Sequence, residues 1–500
     1  MRIFKSIFIF IILGVPVVGC NDTGGEEGGG FVPTGSIIAV AERSGSNQTI
    51  KVGGTTGAVP PGSLVEVTNI NTDETQVTVG EHDGSFDPTF MGNTNDSFNV
   101  LVTDNGVVVE DTDIGVTLLS QAVTRNIERF LSAPTNLVIR GNRAYVLTFL
   151  NTIEIFDLEQ NPPIKIGNID VPPNSDPVSM AFLDDTHAYV VNNIGQSVAM
   201  VNVQTRQCEL IIANTGMGNN FPPCQEVRLV ASGFEDPSDV AIANGKVYVS
   251  NNNLDENFEP QGPGFISVID AETNQFIDQF PASGANTGGM TIINDNIYVV
   301  NAGDISSSPD FSEFFCDFDL PPSIDIIDPQ LDDIIDTINI PLSEGNPKVC
   351  LPNKIAPTPD ERFGYMGLGI VGAMLKVDLE NNTVINGTNN PIVLTDLSSL
   401  NLIGDIEINQ DGIGFASIFD NDQVAVFDSS GNQTVLNPFP FIAPFPAGSS
   451  SSLLEGVQSI AIRSGSSGID FQGADVFFTT TVNTSFSLGS INTASILPPR

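Results

Sequence analysis

Asp239, Lys354 and Asp405 occupy one recurring place in this chain, each just before a short, mainly apolar run, and Asn136, Ser179, Gly289 and Ser459 hold that place in other copies. If these positions meet in space, they make a polar ring of two carboxylates, one amine, an amide and hydroxyls. Convergent carboxylate and amide oxygens suit a hard cation such as calcium, and a mixed ring also suits a small polar ligand. The same polarity arises where water simply fills a channel. The residues alone leave both open.

Other chemistry has little to stand on. The chain has no G-x-S-x-G, no H-E-x-x-H and no phosphate-binding loop. Its two histidines are His82, in a different part of the chain from the ring residues, and His187, in an expected turn before Tyr189, so a Ser-His-Asp triad lacks a base. No C-x-x-C or C-x-x-C-H occurs, which argues against zinc and attached haem. Carboxylate or lysine chemistry leaves no signature and stays open.

The elements that must position the ring are strands. All five tyrosines lie in one phrase, at Tyr145, Tyr189, Tyr248, Tyr298 and Tyr365, and phenylalanine replaces them at Phe415 and Phe477. The copies recur about every 45 to 65 residues, the mark of a repeat array. A full unit runs from Asp236 to Ile277: an apolar strand, an Asn244-Gly245 turn, the tyrosine strand, a third strand ending at Asp270, then a fourth. Four antiparallel strands of this kind make one propeller blade, and the tyrosines with the alternating Val and Ile are its core. The third strand returns with its terminal Asp or Asn at Asp157, Asn202, Asp328, Asp378 and Asp428. This ordered pair of motifs resembles the YVTN family of β-propellers over residues 131–500. The resemblance implies an all-β, seven-bladed β-propeller. The seventh copy lacks the third-strand Asp, so ring closure is expected to use Asp113 to Ser120 or Ile491 to Leu497.

Residues 31–113 have a different texture. Alternation at Val65 and Val67 and at Phe98, Val100 and Val102, with an Asp83-Gly84 turn, predicts a small antiparallel sandwich. Its G-x-x-x-P-G-x-x-V-x-V opening and D-G-S-F turn resemble bacterial Ig-like domains, so a small Ig-like β-sandwich is expected to precede the propeller. Residues 114–130 are then a linker or a closure strand.

The N-terminus carries an address. Arg2 and Lys5 precede an apolar run from Ile7 to Val18, too short to span a bilayer and of the length of a secretory segment. It ends at Val17-Val18-Gly19-Cys20, which resembles the lipobox of bacterial lipoproteins. The resemblance implies removal of residues 1–19, lipidation of Cys20 and anchoring in a bacterial envelope membrane. Residues 21–30, with five glycines, read as a tether. The other cysteines, Cys208, Cys224, Cys316 and Cys350, are even in number, as disulfides in an exported chain would be. Local pairing, 208 with 224 and 316 with 350, is the favoured of three connectivities. The 500 residues carry 18 Lys and Arg against 60 Asp and Glu, a net charge of −42. Nucleic acid and anionic headgroups would be repelled.

Two long excursions interrupt the repeat, Asn253 to Pro263 and Gly303 to Pro322, both between second and third strands. In an antiparallel blade that loop lies on the face where the innermost strands begin. Phe311, Phe314, Phe315 and Phe318 of the second excursion, mixed with acidic residues, are candidates for a partner contact or for a lid packed on its own blade. The leading expectation is an anchored, exported scaffold that binds a protein, glycan or ligand through this face. The alternatives are a lactonase-like or quinoprotein-like enzyme with a metal or cofactor in the funnel, and a structural envelope protein.

Overall fold

The computed structural model describes residues 37–491 except 45–46, 55–58, 81–85, 87, 92–95, 118–122, 131, 161–162, 216–220, 256–258, 308–313, 395–401, 411, 419–422, 430–434, 440–455, 463–475 and 483–484. The secretory run, Cys20, the tether, His82, the Asp83-Gly84 turn and Phe311 lie outside them. The described residues are all-β, and none forms a helix long and apolar enough to cross a membrane. They fall into two compact units, one of residues 37–125 with 476 and 490–491, the other of 126–462 and 477–489.

In the first unit seven strands form one continuous sheet. Their order is Thr75–Val79, Leu64–Asn69, Ser97–Asp104, Val107–Thr117, Ile37–Ser44, Asn47–Gly54 and Thr89–Met91. Neighbours are antiparallel except Ile37–Ser44, which runs parallel to the end of Val107–Thr117. Val65, Val67, Phe98, Val100 and Val102 from one half of the sheet meet Val52 and Phe90 from the other in a single buried cluster. The sheet therefore folds over its own apolar face as a sandwich. Val107–Thr117 runs past residue 113, so the segment Asp113 to Ser120 is spent largely within this unit.

Seven sheets of four or five strands, among the described residues, follow in chain order. Their innermost strands are Pro134–Arg140, Pro177–Phe182, Pro237–Ala243, Thr287–Ile293, Pro352–Pro357, Ile403–Ile408 and Gly456–Ile462. Each packs on the next and the last packs on the first, the closed arrangement of a β-propeller. The final sheet holds Gly456–Ile462, Val476–Val482 and Ser485–Ile491, and its outer position is filled by Val123–Phe130 from before the first sheet. The closing strand thus lies within residues 114–130 but downstream of Asp113 to Ser120. Ile491 ends its partner strand rather than starting a closing one.

The repeated residues have separable tasks. Tyr145, Tyr189, Tyr248, Tyr298 and Tyr365 are all at most 5% exposed. Three of them reach the following sheet: Tyr189 donates to Asn274 Oδ1, Tyr248 to the Pro329 carbonyl at 3.1 Å and Tyr365 to the Ser429 carbonyl at 3.2 Å. Each wedge buries a ring and satisfies its hydroxyl at once. The acid closing the third strand caps the next turn, with Asp270 Oδ1 accepting the Thr273 N–H at 2.7 Å and Asp328 Oδ1 the Gln330 N–H at 2.7 Å. Asn274 and Asp332 then take left-handed φ of 55° and 54°, which returns the chain into the fourth strand.

Candidate functional site

Six of the seven ring positions lie near the start of an innermost strand, where strand pairing slips. The register shifts between Pro177 and Ser179, Pro237 and Asp239, Thr287 and Met290, Pro352 and Ile355, and Ile403 and Ile406. Opposite Asn136 it shifts between Leu147 and Thr148. Each shift is a β-bulge, which bends the strand and re-aims a side chain. Ser459 lies in Gly456–Ile462, the equivalent strand of the last sheet.

Most of these side chains are engaged by protein. Asp239 Oδ1 accepts the Ser179 hydroxyl and the Val240 N–H at 2.8 Å, and Oδ2 accepts the Met290 N–H at 2.7 Å. One carboxylate therefore ties three consecutive sheets. Asn136 acts similarly, accepting the Leu137 N–H at 2.7 Å and donating to the Val178 carbonyl at 2.9 Å. Asp405 Oδ1 accepts the Ile406 N–H at 3.0 Å. The preceding residues add stitches, Ser238 to the Thr287 carbonyl at 3.0 Å and Asn353 to the Ile403 carbonyl at 3.0 Å. Gly289 leaves space for its neighbour, since a Cβ there would sit 2.7 Å from Lys354 Cα.

Lys354 is the charged centre of the ring. Protein surrounds it, yet its side chain keeps accessible surface, as a group lining a channel would. Burial pulls the ammonium down, but Asp239, Glu407 and Asp405 outweigh it and hold Lys354 above the ordinary lysine range. Burial pushes the Glu407 carboxyl up, with Lys354 pulling against it. Glu407 is absent from the sequence-derived ring, although it stands two residues after Asp405 and strand alternation could have found it. Among the described residues no three His, Cys, Asp or Glu side chains form a metal-ligand set. The ring is thus a mixed-charge site, with an ammonium where an all-oxygen cation site would need acceptors.

The second excursion is clipped. Cys316 and Cys350 are bonded, as are Cys208 and Cys224. Ile305–Ser307 and Phe314–Cys316 form a hairpin, and the Cys316 N–H donates to the Pro347 carbonyl at 2.8 Å. Phe315 is half-buried with the Lys348 ammonium 5.8 Å above its ring, whereas Phe318 is 47% exposed. Phe314 lies in the hairpin strand. Burial pushes the Asp304 carboxyl up to about 6, with Glu259 of the other excursion and Asp317 adding to it and the Ile305 N–H opposing. Acids from both excursions therefore act on one another. His187 opens the strand His187–Asn192 rather than sitting in a turn, between Asp184 at 3.3 Å and Glu209 at 3.4 Å.

No family model and no curated protein matches the chain. Solved structures similar to it include hydrazine synthase from Kuenenia stuttgartiensis, at 14% identity and TM-score 0.48, covering 72% of this chain and 95% of that one. Another is the β-propeller domain of Cps50 (Swd1) from Myceliophteria thermophila, at 8% identity and TM-score 0.47, covering 72% and 98%. The propeller arrangement described above rests on the pairing and packing of this chain's own strands.

Proposed function

We propose that this chain is an exported bacterial lipoprotein, anchored through Cys20 in the cell envelope, whose propeller serves as a binding scaffold for a protein or glycan partner. On this reading the ring is a seven-bladed propeller of the YVTN type, and the preceding sandwich is an Ig-like spacer between tether and propeller. The observation that carries the binding role is the excursion between Asn301 and Ser323. Its strands Ile305–Ser307 and Phe314–Cys316 pair antiparallel, the Cys316–Cys350 bond holds them, and Phe318 stays exposed beside Asp317 and Asp319. Ordering such a loop costs conformational entropy, so a stapled loop that leaves an aromatic ring in water fits preorganised contact with a partner.

The test is photo-crosslinking in intact cells, with the photoreactive residue at Phe318 in one strain and at Leu331, an exposed apolar residue of a turn between third and fourth strands, in another. A discrete adduct from 318 that is absent from 331 supports the reading. The same pattern from both positions, or none from either, overturns it. Cys20→Ser in parallel should move the protein from the membrane fraction to the soluble one.

A further inference from the structure

In the first six propeller sheets the third-strand residue opposite the second-strand aromatic is apolar five times and a lysine once. Register pairs Tyr145 with Ile155, Tyr189 with Met200, Tyr248 with Val268, Tyr298 with Ile326 and Phe415 with Val426, whereas Tyr365 is paired with Lys376. Register partners share a face of the sheet, so Lys376 lies on the face of Tyr365, whose ring belongs to the apolar cluster shared by the fifth and sixth sheets. It is 4% exposed. A lysine is seldom so deep without an acid to pair with.

Rings stand where that acid would be. The Lys376 ammonium lies 4.3 Å from the centre of the Phe363 ring and 5.1 Å from that of Tyr365. Among the described residues no carboxylate pairs with it. The charge that acts on it is a second cation, Arg362, whose guanidinium lies 5.0 Å over the same Phe363 ring and pairs with Glu380 at 3.7 Å. Burial, and then Arg362, pull the Lys376 ammonium below the ordinary lysine range. Desolvation and a neighbouring cation are the two conditions that turn a lysine into a nucleophile.

We propose that the Lys376 amine captures small aliphatic aldehydes as an imine between its aromatic walls. The nitrogen lone pair attacks the carbonyl carbon and the carbonyl π pair moves to oxygen. Both amine protons then leave with that oxygen as water while the C=N bond forms. A protonated imine keeps a positive charge over the Phe363 face, as the ammonium did. The slight exposure of the residue limits entry to a small reagent. None of this rests on the partner-binding reading. The test incubates the full chain, purified in detergent, with butanal and cyanoborohydride, which reduces each imine to a stable amine that peptide mass spectrometry quantifies. At about pH 7 an ordinary lysine is free amine roughly one time in two thousand, so the adduct at Lys376 should form at least about tenfold faster than at Lys348. That lead should shrink at about pH 10, where a large part of every lysine is free amine. Lys376→Met, which installs the side chain that Met200 offers at the same place, should remove the adduct and leave the rate at Lys348 unchanged. Labelling of Lys376 no faster than of Lys348, labelling only once urea has unfolded the chain, or a lead that does not shrink at high pH overturns the proposal.

Discussion

At Asp239 one carboxylate accepts from three sheets, so its removal leaves a hydroxyl and two backbone N–H groups unsatisfied near the axis. Asp239→Ala should cost about 2 kcal/mol or more by urea unfolding, against roughly 0.5 kcal/mol or less for Asp333→Asn on the exposed surface. Gly289→Ala should also destabilise, because its Cβ meets the Lys354 backbone, which cannot swing aside. Asp176 makes a prediction with a sign. Burial pushes its carboxyl up to about 7, well above the ordinary carboxylate range. The folded chain therefore keeps this proton where the unfolded chain has lost it. Its contribution to stability is full below pH of about 4 and falls as pH rises toward about 7. Asp176→Asn should raise stability at pH 8 by up to about 4 kcal/mol and change it little at pH 4, measured by denaturant unfolding at both.

Strands and their turns were the legible part of the sequence. Tyrosine spacing and the third-strand Asp mark where sheets start and turn because burial and capping leave strong residue preferences. The ring positions followed from aligning those copies. Glu407 was missed because it sits inside an apolar run, where alternation rather than a motif reveals it. The Asn192, Asn251 and Asn301 amides were also passed over, though each closes a tyrosine strand. They bind to serines in the third strand, at Ser197, Ser267 and Ser323, at separations that vary from 5 to 22 residues and so leave no fixed spacing to read. Asn251→Ala should cost about 1–3 kcal/mol, since it strands buried partners. The closing strand was read only coarsely, as one of two uses for residues 114–130: Val123–Phe130 carries Thr124, Arg125, Asn126, Glu128 and Arg129 among its apolar residues, and its partner Ser485–Ile491 fixes its bounds. For the clipped hairpin, Cys316→Ser with Cys350→Ser should abolish the crosslink from position 318. Its unfolding free energy should drop by about 3 kcal/mol, as expected for opening a loop of this size.

Across the whole molecule the charge of −42 is a standing repulsion that compactness must overcome. Many acids are occupied locally, as at Asp270 and Asp328, but with 18 Lys and Arg few can be paired. Raising sodium chloride from about 20 mM to about 500 mM shortens the Debye length from roughly 20 Å to roughly 4 Å and should raise Tm in every variant named above. The pairing of Val123–Phe130 with Ser485–Ile491 carries a further consequence. A polypeptide made from its N-terminus delivers one half of that join more than three hundred residues before the other. Until its last strands emerge, the circle stays an open arc with a raw edge at each end, so a ribosome stall late in synthesis would leave this protein unlatched however well its earlier sheets had formed.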